Sequence, residues 1–185
     1  MARIVIVTEW WWSFANSKRQ LQTKVQGPNM SVDPRDNSLF LDKQMGTDLT
    51  TGFALISHAG MLAKWWGPRG ITLGSHQLDL GNPGPWHSVM IGEDGGWHKV
   101  SGKVLRVKDS PGCKTIEFSW AWHDRVSEER GHESHVQLEV RQDKAGPVLL
   151  TLRQTGLADL ASARLHAEGW ESSLSRIDDV LASCV

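Results

Sequence analysis

Tyrosine is absent from this 185-residue chain, cysteine occurs only twice, and no charge of one sign prevails: 20 Lys and Arg stand against 21 Asp and Glu. Without a basic stripe there is no electrostatic footprint of a nucleic-acid binder. No apolar run approaches the ~20 residues that a membrane span needs. Met1 to Val7 is also too short an apolar stretch for a secretory signal. Cys113 and Cys184 form no disulfide framework and sit in no motif that activates a thiolate, which fits a reducing cytoplasm. The length suits one domain with a full core. What is plentiful is tryptophan, with ten residues. Three of them, Trp10 to Trp12, would promote aggregation unless they dock somewhere.

The stretch from Leu157 to the C-terminus organises the rest. Leu160, Ala163, Ala167, Trp170, Leu174, Ile177 and Leu181 recur at steps of three and four, which sets them on one stripe of a helix. Arg164, Glu168, Glu171, Arg176 and Asp178 fall off the stripe and are expected to face water. Asp159 suits the positive end of the helix dipole. A rod of about 35 Å needs a broad apolar surface to cover its stripe.

Upstream, residues 1–36 read as an irregular extension, disordered or upstream of the true start, with Met30 an alternative first residue. Breakers at Gly27-Pro28 and Asp33-Pro34 interrupt it. The domain proper spans residues 37–185. Ser38 to Met45 alternates as a first strand. Thr47 or Asp48 caps a short helix through Phe53, Leu55 and Ile56, and a second helix, Ala59 to Trp66, stops at Gly67-Pro68. Six further strands follow between turn signals: Ile71 to Leu80, Pro85 to Ile91, Trp97 to Val107, Lys114 to His123, His135 to Arg141 and Pro147 to Thr155. Ile116, Phe118, Trp120 and Trp122 share one face, as do Val136, Leu138 and Val140, and Val148, Leu150 and Leu152. Polar residues alternate with them, so one sheet face is apolar and the other solvated. The expected class is α+β: a curved antiparallel sheet of about seven strands around a long C-terminal helix, with two short helices after the first strand.

Three stretches carry a family resemblance. Leu62-Ala63-Lys64-Trp65-Trp66-Gly67-Pro68-Arg69-Gly70 resembles the L-A-x-W-W-G-P-x-G segment of START-like (SRPBCC) proteins, in the branch named for homology to the C-terminal domain of the activator of heat-shock-protein-90 ATPase. Leu78 to Trp86 is similar to that family's D-L-R-P-G-G-x-W turn. Thr151 to Leu157, followed by Glu168-Gly169-Trp170, is similar to its last strand and helix. The match runs from about Leu39 to Leu181 and departs at the first helix, at His58-Ala59-Gly60 and at Pro85. The resemblance implies a helix-grip fold enclosing a hydrophobic cavity that holds apolar molecules; a minority of members catalyse cyclisation or dehydration. The co-chaperone itself carries an additional N-terminal domain, which 36 irregular residues do not replace.

The expected ligand-binding set is Phe53, Trp66, Trp86, Met90, Phe118, Trp120, Trp122, Leu138, Leu150, Trp170 and Leu174, an apolar wall of the kind that lines small-molecule pockets. The same side chains can instead fill the core, leaving no room for a guest. The expected partner is a small apolar or aromatic ligand, with no nucleic acid and no membrane span; a homodimer and chaperone binding stay open. No catalytic residue, metal ligand or cofactor is assigned. Eight histidines have no spacing that gathers three or four zinc ligands. For the alternative of an enzyme, a cyclase, dehydratase or hydrolase, His123-Asp124 is the first pair to consider as a general base, with His98 and Glu117 as further ionisable candidates. Asp79 reads as a turn former.

Overall fold

The computed structural model describes residues 28–144 and 146–183. Eight antiparallel strands form one sheet in the order β1-β2-β8-β7-β6-β5-β4-β3. They are β1 (Asn29–Asp33), β2 (Ser38–Met45), β3 (Thr72–Gln77), β4 (Gly84–Ile91), β5 (Trp97–Ser110), β6 (Cys113–Trp122), β7 (Ser134–Gln142) and β8 (Val148–Thr155). Helices α1 (Leu49–Ser57) and α2 (Ala59–Trp65) lie between β2 and β3, and α3 (Leu160–Ala182) ends the fold. The α+β helix-grip architecture stands, with eight strands rather than about seven.

The extra strand lies inside the stretch read as an irregular extension, and for residues 28–36 it replaces that reading. Asn29–Asp33 pairs with β2 from Asn29↔Asp42 to Asp33↔Ser38. The Asp33-Pro34 breaker is the turn of this hairpin, closed by Asn37 at φ +53°. A five-residue edge strand held by backbone bonds leaves only a faint pattern in its side chains. Trp10 to Trp12 and the rest of the extension to Gly27 lie outside the described residues.

Caps set the helix starts. Asp48 accepts the Thr51 backbone N–H at 3.0 Å, and Asp159 accepts that of Ser162 at 2.7 Å. Each satisfies a donor that the first helical turn leaves without a partner. The α3 stripe then buries Ala163, Ala167, Trp170, Leu174 and Ile177 against the apolar face of the sheet, in one cluster with Leu41, Phe118, Leu138, Val140, Leu150 and Leu152.

Two charged residues of α3 do not face water as the periodicity suggests. Asp178 accepts from Lys43 Nζ at 2.7 Å, and the Lys43 side chain, on the inward face of β2, is only 2% exposed. Arg176 reaches the other way and donates to the carbonyls of Gly67 at 2.9 Å and Lys64 at 3.0 Å, closing the end of α2. Beside it Arg69 pairs with Asp179 at 2.8 Å and donates to Ser175. Thus α3 is fixed to β2 near one side and to the α2–β3 turn on the other.

Breaking the buried pair from the acidic side leaves an uncompensated ammonium. Asp178→Ala is expected to cost about 2–3 kcal/mol, below the ~3–5 kcal/mol of a fully buried pair because Asp178 is part-exposed, whereas Lys43→Met stays within about 1 kcal/mol of the parent. Urea unfolding of both variants measures the asymmetry; equal losses would contradict it.

Candidate functional site

Six tryptophans converge where β4, β5 and β6 meet α2 and α3. Trp66 packs 5.6 Å from Trp86, 5.8 Å from Trp120 and 5.7 Å from Trp170, centroid to centroid. Trp120 stands 5.1 Å from Trp170 and 5.5 Å from Trp122, and Trp65 packs behind Trp66 at 5.9 Å. Offset and edge-on geometries of this kind add to the burial energy of each ring. Adjacent helical residues diverge, yet both Trp65 and Trp66 are buried, because Trp66 is already the extended cap residue after α2.

This packing needs a bare backbone at one point. A Cβ on Gly102 would sit 1.7 Å from the Ser119 carbonyl oxygen and 2.7 Å from Trp86 Nε1. Only glycine lets β5 pass there while Trp86 donates to Ser119 O at 3.2 Å.

Between sheet and helix the indoles leave a void of about 10 Å³, lined by Trp66, Gly67, Pro68, Met90, Trp120, His166, Trp170 and Ser173. That is room for one water-sized group. Four of the expected ligand residues, Trp66, Met90, Trp120 and Trp170, therefore share a wall. Trp86 and Phe118 stack edge-on behind it at 5.5 Å. Trp122 turns to His166, and Leu138, Leu150 and Leu174 are fully buried in the core without touching the void. Phe53 lies elsewhere, on α1 under the Lys114 ammonium at 5.2 Å.

Sequence reasoning missed Gly67, Pro68, His166 and Ser173. A second helical register, Ala163, His166, Trp170, Ser173 and Ile177, contains the last two, and its polar members hide it from an apolar count. His166 Nδ1 bonds the Ser162 carbonyl at 2.8 Å, so its Nε2 is the acceptor for Trp122 Nε1 at 3.1 Å. Burial pushes His166 down to about 4, so it is neutral near pH 7. His98, also largely buried, is likewise lowered to about 4, chiefly by burial and secondarily by Arg125.

The other candidates separate. Asp124 does not partner His123; it accepts the backbone N–H groups of Val126 and Ser127, which hold its carboxyl below the usual range. His123 instead bonds Ser101 Oγ through Nε2 at 2.7 Å and Glu128 O through Nδ1 at 2.9 Å. Since Trp122 points inward, His123 turns to the outer sheet face, away from the void. Glu117 also faces outward, in a shallow groove of about 400 Å³ shared with Leu105, His135, Gln137, Arg153 and Thr155. Asp79 accepts from Gly81 N and Asn82 Nδ2, forming the turn as read. Among the described residues no three His, Cys, Asp or Glu side chains gather as metal ligands, and no helix is long and apolar enough to cross a membrane.

Comparison with known proteins adds the family. The family described as Activator of Hsp90 ATPase homolog 1-like protein matches residues 49–182. The chain belongs to that family. The crystal structure of an AHSA1 protein from Silicibacter pomeroyi is 37% identical, with a TM-score of 0.73, over 80% of this chain and 99% of that one. A protein from Mycobacterium smegmatis, 19% identical, shares the fold at a TM-score of 0.67 over 83% of this chain and 95% of its own. No curated protein matches. The START-like resemblance is thereby established, and the Activator of Hsp90 ATPase homolog 1-like domain here keeps its sheet-to-helix interior almost filled by indoles.

His166 makes stability depend on pH. Unfolded, its imidazole takes up a proton as pH falls below about 6.5; folded, it resists protonation until about 4. Its contribution is therefore complete above pH 6.5 and drains away as the pH drops towards 4. Lowering the pH from about 7 to about 5 is expected to remove about 2 kcal/mol through this residue. Urea midpoints at the two pH values, for the parent and His166→Gln, measure it; an identical pH slope in both would refute the assignment.

Proposed function

We propose that this domain binds a small apolar or aromatic molecule between the sheet and α3, entering beside Gly67-Pro68, without catalysis. The observation that carries the reading is the placement of the void: it is the meeting point of Trp66, Trp120 and Trp170, and the α2–β3 turn forms one of its walls. Aromatic, desolvated walls favour flat apolar guests. A void of about 10 Å³ does not seat a ring as it stands. Binding therefore includes movement of an indole or of the turn that Arg69 and Arg176 hold against α3. Gly67, at φ +87°, gives this turn a conformation that other residues adopt only with strain. A cytoplasmic setting belongs to the same proposal and agrees with Cys113 being a free thiol.

Thermal-shift and native mass spectrometry on the full chain, with a panel of apolar and aromatic compounds, test the reading. A ligand at a hundred times its Kd stabilises by about 2.7 kcal/mol. For a domain of this size that raises Tm by roughly 5–10 °C, accompanied by a change in tryptophan emission. A panel that gives neither adduct nor stabilisation would reject it.

A further inference from the structure

Five of the six clustered indoles engage their N–H with an acceptor supplied by the chain. Trp65 donates to Leu55 O at 2.8 Å, Trp66 to Ser88 Oγ at 3.0 Å and Trp86 to Ser119 O at 3.2 Å. Trp122 donates to His166 Nε2 at 3.1 Å and Trp170 to Gln154 Oε1 at 2.8 Å. Trp120 is the exception. It is 4% exposed, and its Nε1 has no hydrogen-bond partner among the described residues. A buried donor left in this state has given up its hydration without a replacement, which is unfavourable. In a core that supplies an acceptor to each neighbouring indole, the exception points to an acceptor from outside.

Trp120 borders the void, and so does Ser173. Ser173 directs its hydroxyl hydrogen to Gly169 O at 2.7 Å, which leaves its oxygen free to accept. The space for one water-sized group is thus bordered by one residue with a free donor and one with a free acceptor. A hydroxyl matches both in kind, accepting from an indole N–H and donating to a serine oxygen. No lysine, arginine, aspartate or glutamate lines the void. Both ring nitrogens of His166 are already engaged, and the ring is neutral near pH 7. A carboxylate there would be a buried charge without a counter-ion, which costs far more than its hydrogen bonds return.

We propose that Trp120 and Ser173 select the neutral hydroxyl of a phenol or alcohol, so that the ligand is a hydroxylated aromatic molecule rather than an acid or a plain hydrocarbon. This rests on the interior site proposed above and names the chemistry by which that site recognises its guest.

The test titrates the full chain with three probes of one ring size: a naphthol, naphthalene and a naphthoate. The readouts are Tm and the indole N–H resonances, with that of Trp120 identified by its loss in Trp120→Phe. Naphthol is expected to bind on the order of tenfold more tightly than naphthalene, the effect of hydrogen bonds worth about 1.4 kcal/mol. It should also shift the Trp120 resonance, while naphthoate leaves Tm unchanged. Trp120→Phe removes the N–H, keeps an aromatic ring on β6 and widens the void, so it should bind naphthol and naphthalene equally; Ser173→Ala, a milder change, should reduce the preference several-fold. Equal binding of naphthol and naphthalene, binding of naphthoate, or an unmoved Trp120 resonance would overturn this inference and leave the apolar site standing. If neither naphthol nor naphthalene binds and the Trp120 N–H exchanges only with water, the group it holds is a resident water, and the interior-site reading falls with the inference.

Discussion

Burial of one face of α3 against the apolar side of the sheet is the constraint to which the other features answer. Each large apolar side chain withdrawn from water contributes about 1.5–3 kcal/mol, and the α3 cluster gathers Trp170, Leu174 and Ile177 with the inward residues of β2, β6, β7 and β8. Position along and around the helix is then fixed by polar contacts at its margins. Lys43 meets Asp178 from the sheet, while Arg176 and Arg69 hold the α2–β3 turn. These contacts carry specificity of placement more than net stability, since desolvating charges offsets much of their attraction.

A core built from tryptophan rather than tyrosine brings a particular requirement. Each indole carries a donor and no acceptor, so the interior must contain acceptors. That requirement explains why Ser88, Gln154 and His166 are buried in a region otherwise apolar. Gln154 shows the economy of the arrangement: it accepts from Trp170 and donates to Ser134 Oγ at 2.8 Å, which leans on Trp120 O. Such a network ties β6, β7 and β8 to α3 and discourages register slips, because a shift would strand several buried groups at once.

The same filling limits how much space the family fold keeps between sheet and helix in this chain. Aromatic bulk that shrinks the interior to a water-sized void sets a steep size filter on any guest, and the turn at Gly67-Pro68 is the wall least committed to regular structure. The outer sheet face differs in kind. Its groove is lined by charged and polar side chains around Leu105, and the Ser101–His123 pair lies on that face too.

The sequence by itself determined seven of the eight strands in their chain order, the inward faces, the two short helices and the long helix, since periodicity and turn chemistry are local and repeat over many residues. It also placed Trp66, Met90, Trp120 and Trp170 on the inward side. Only the tertiary structure decided that β1 joins the sheet, because an edge strand is defined by its neighbour's backbone and not by its own side chains. Only the tertiary structure showed that Asp178 and Arg176 turn to protein partners, that His123 pairs with Ser101 and not Asp124, and that His166 and Ser173 border the void. A polar side chain's partner comes from distant parts of the chain, and the volume left among six indoles depends on how rings from four strands and helices meet, which no local pattern encodes.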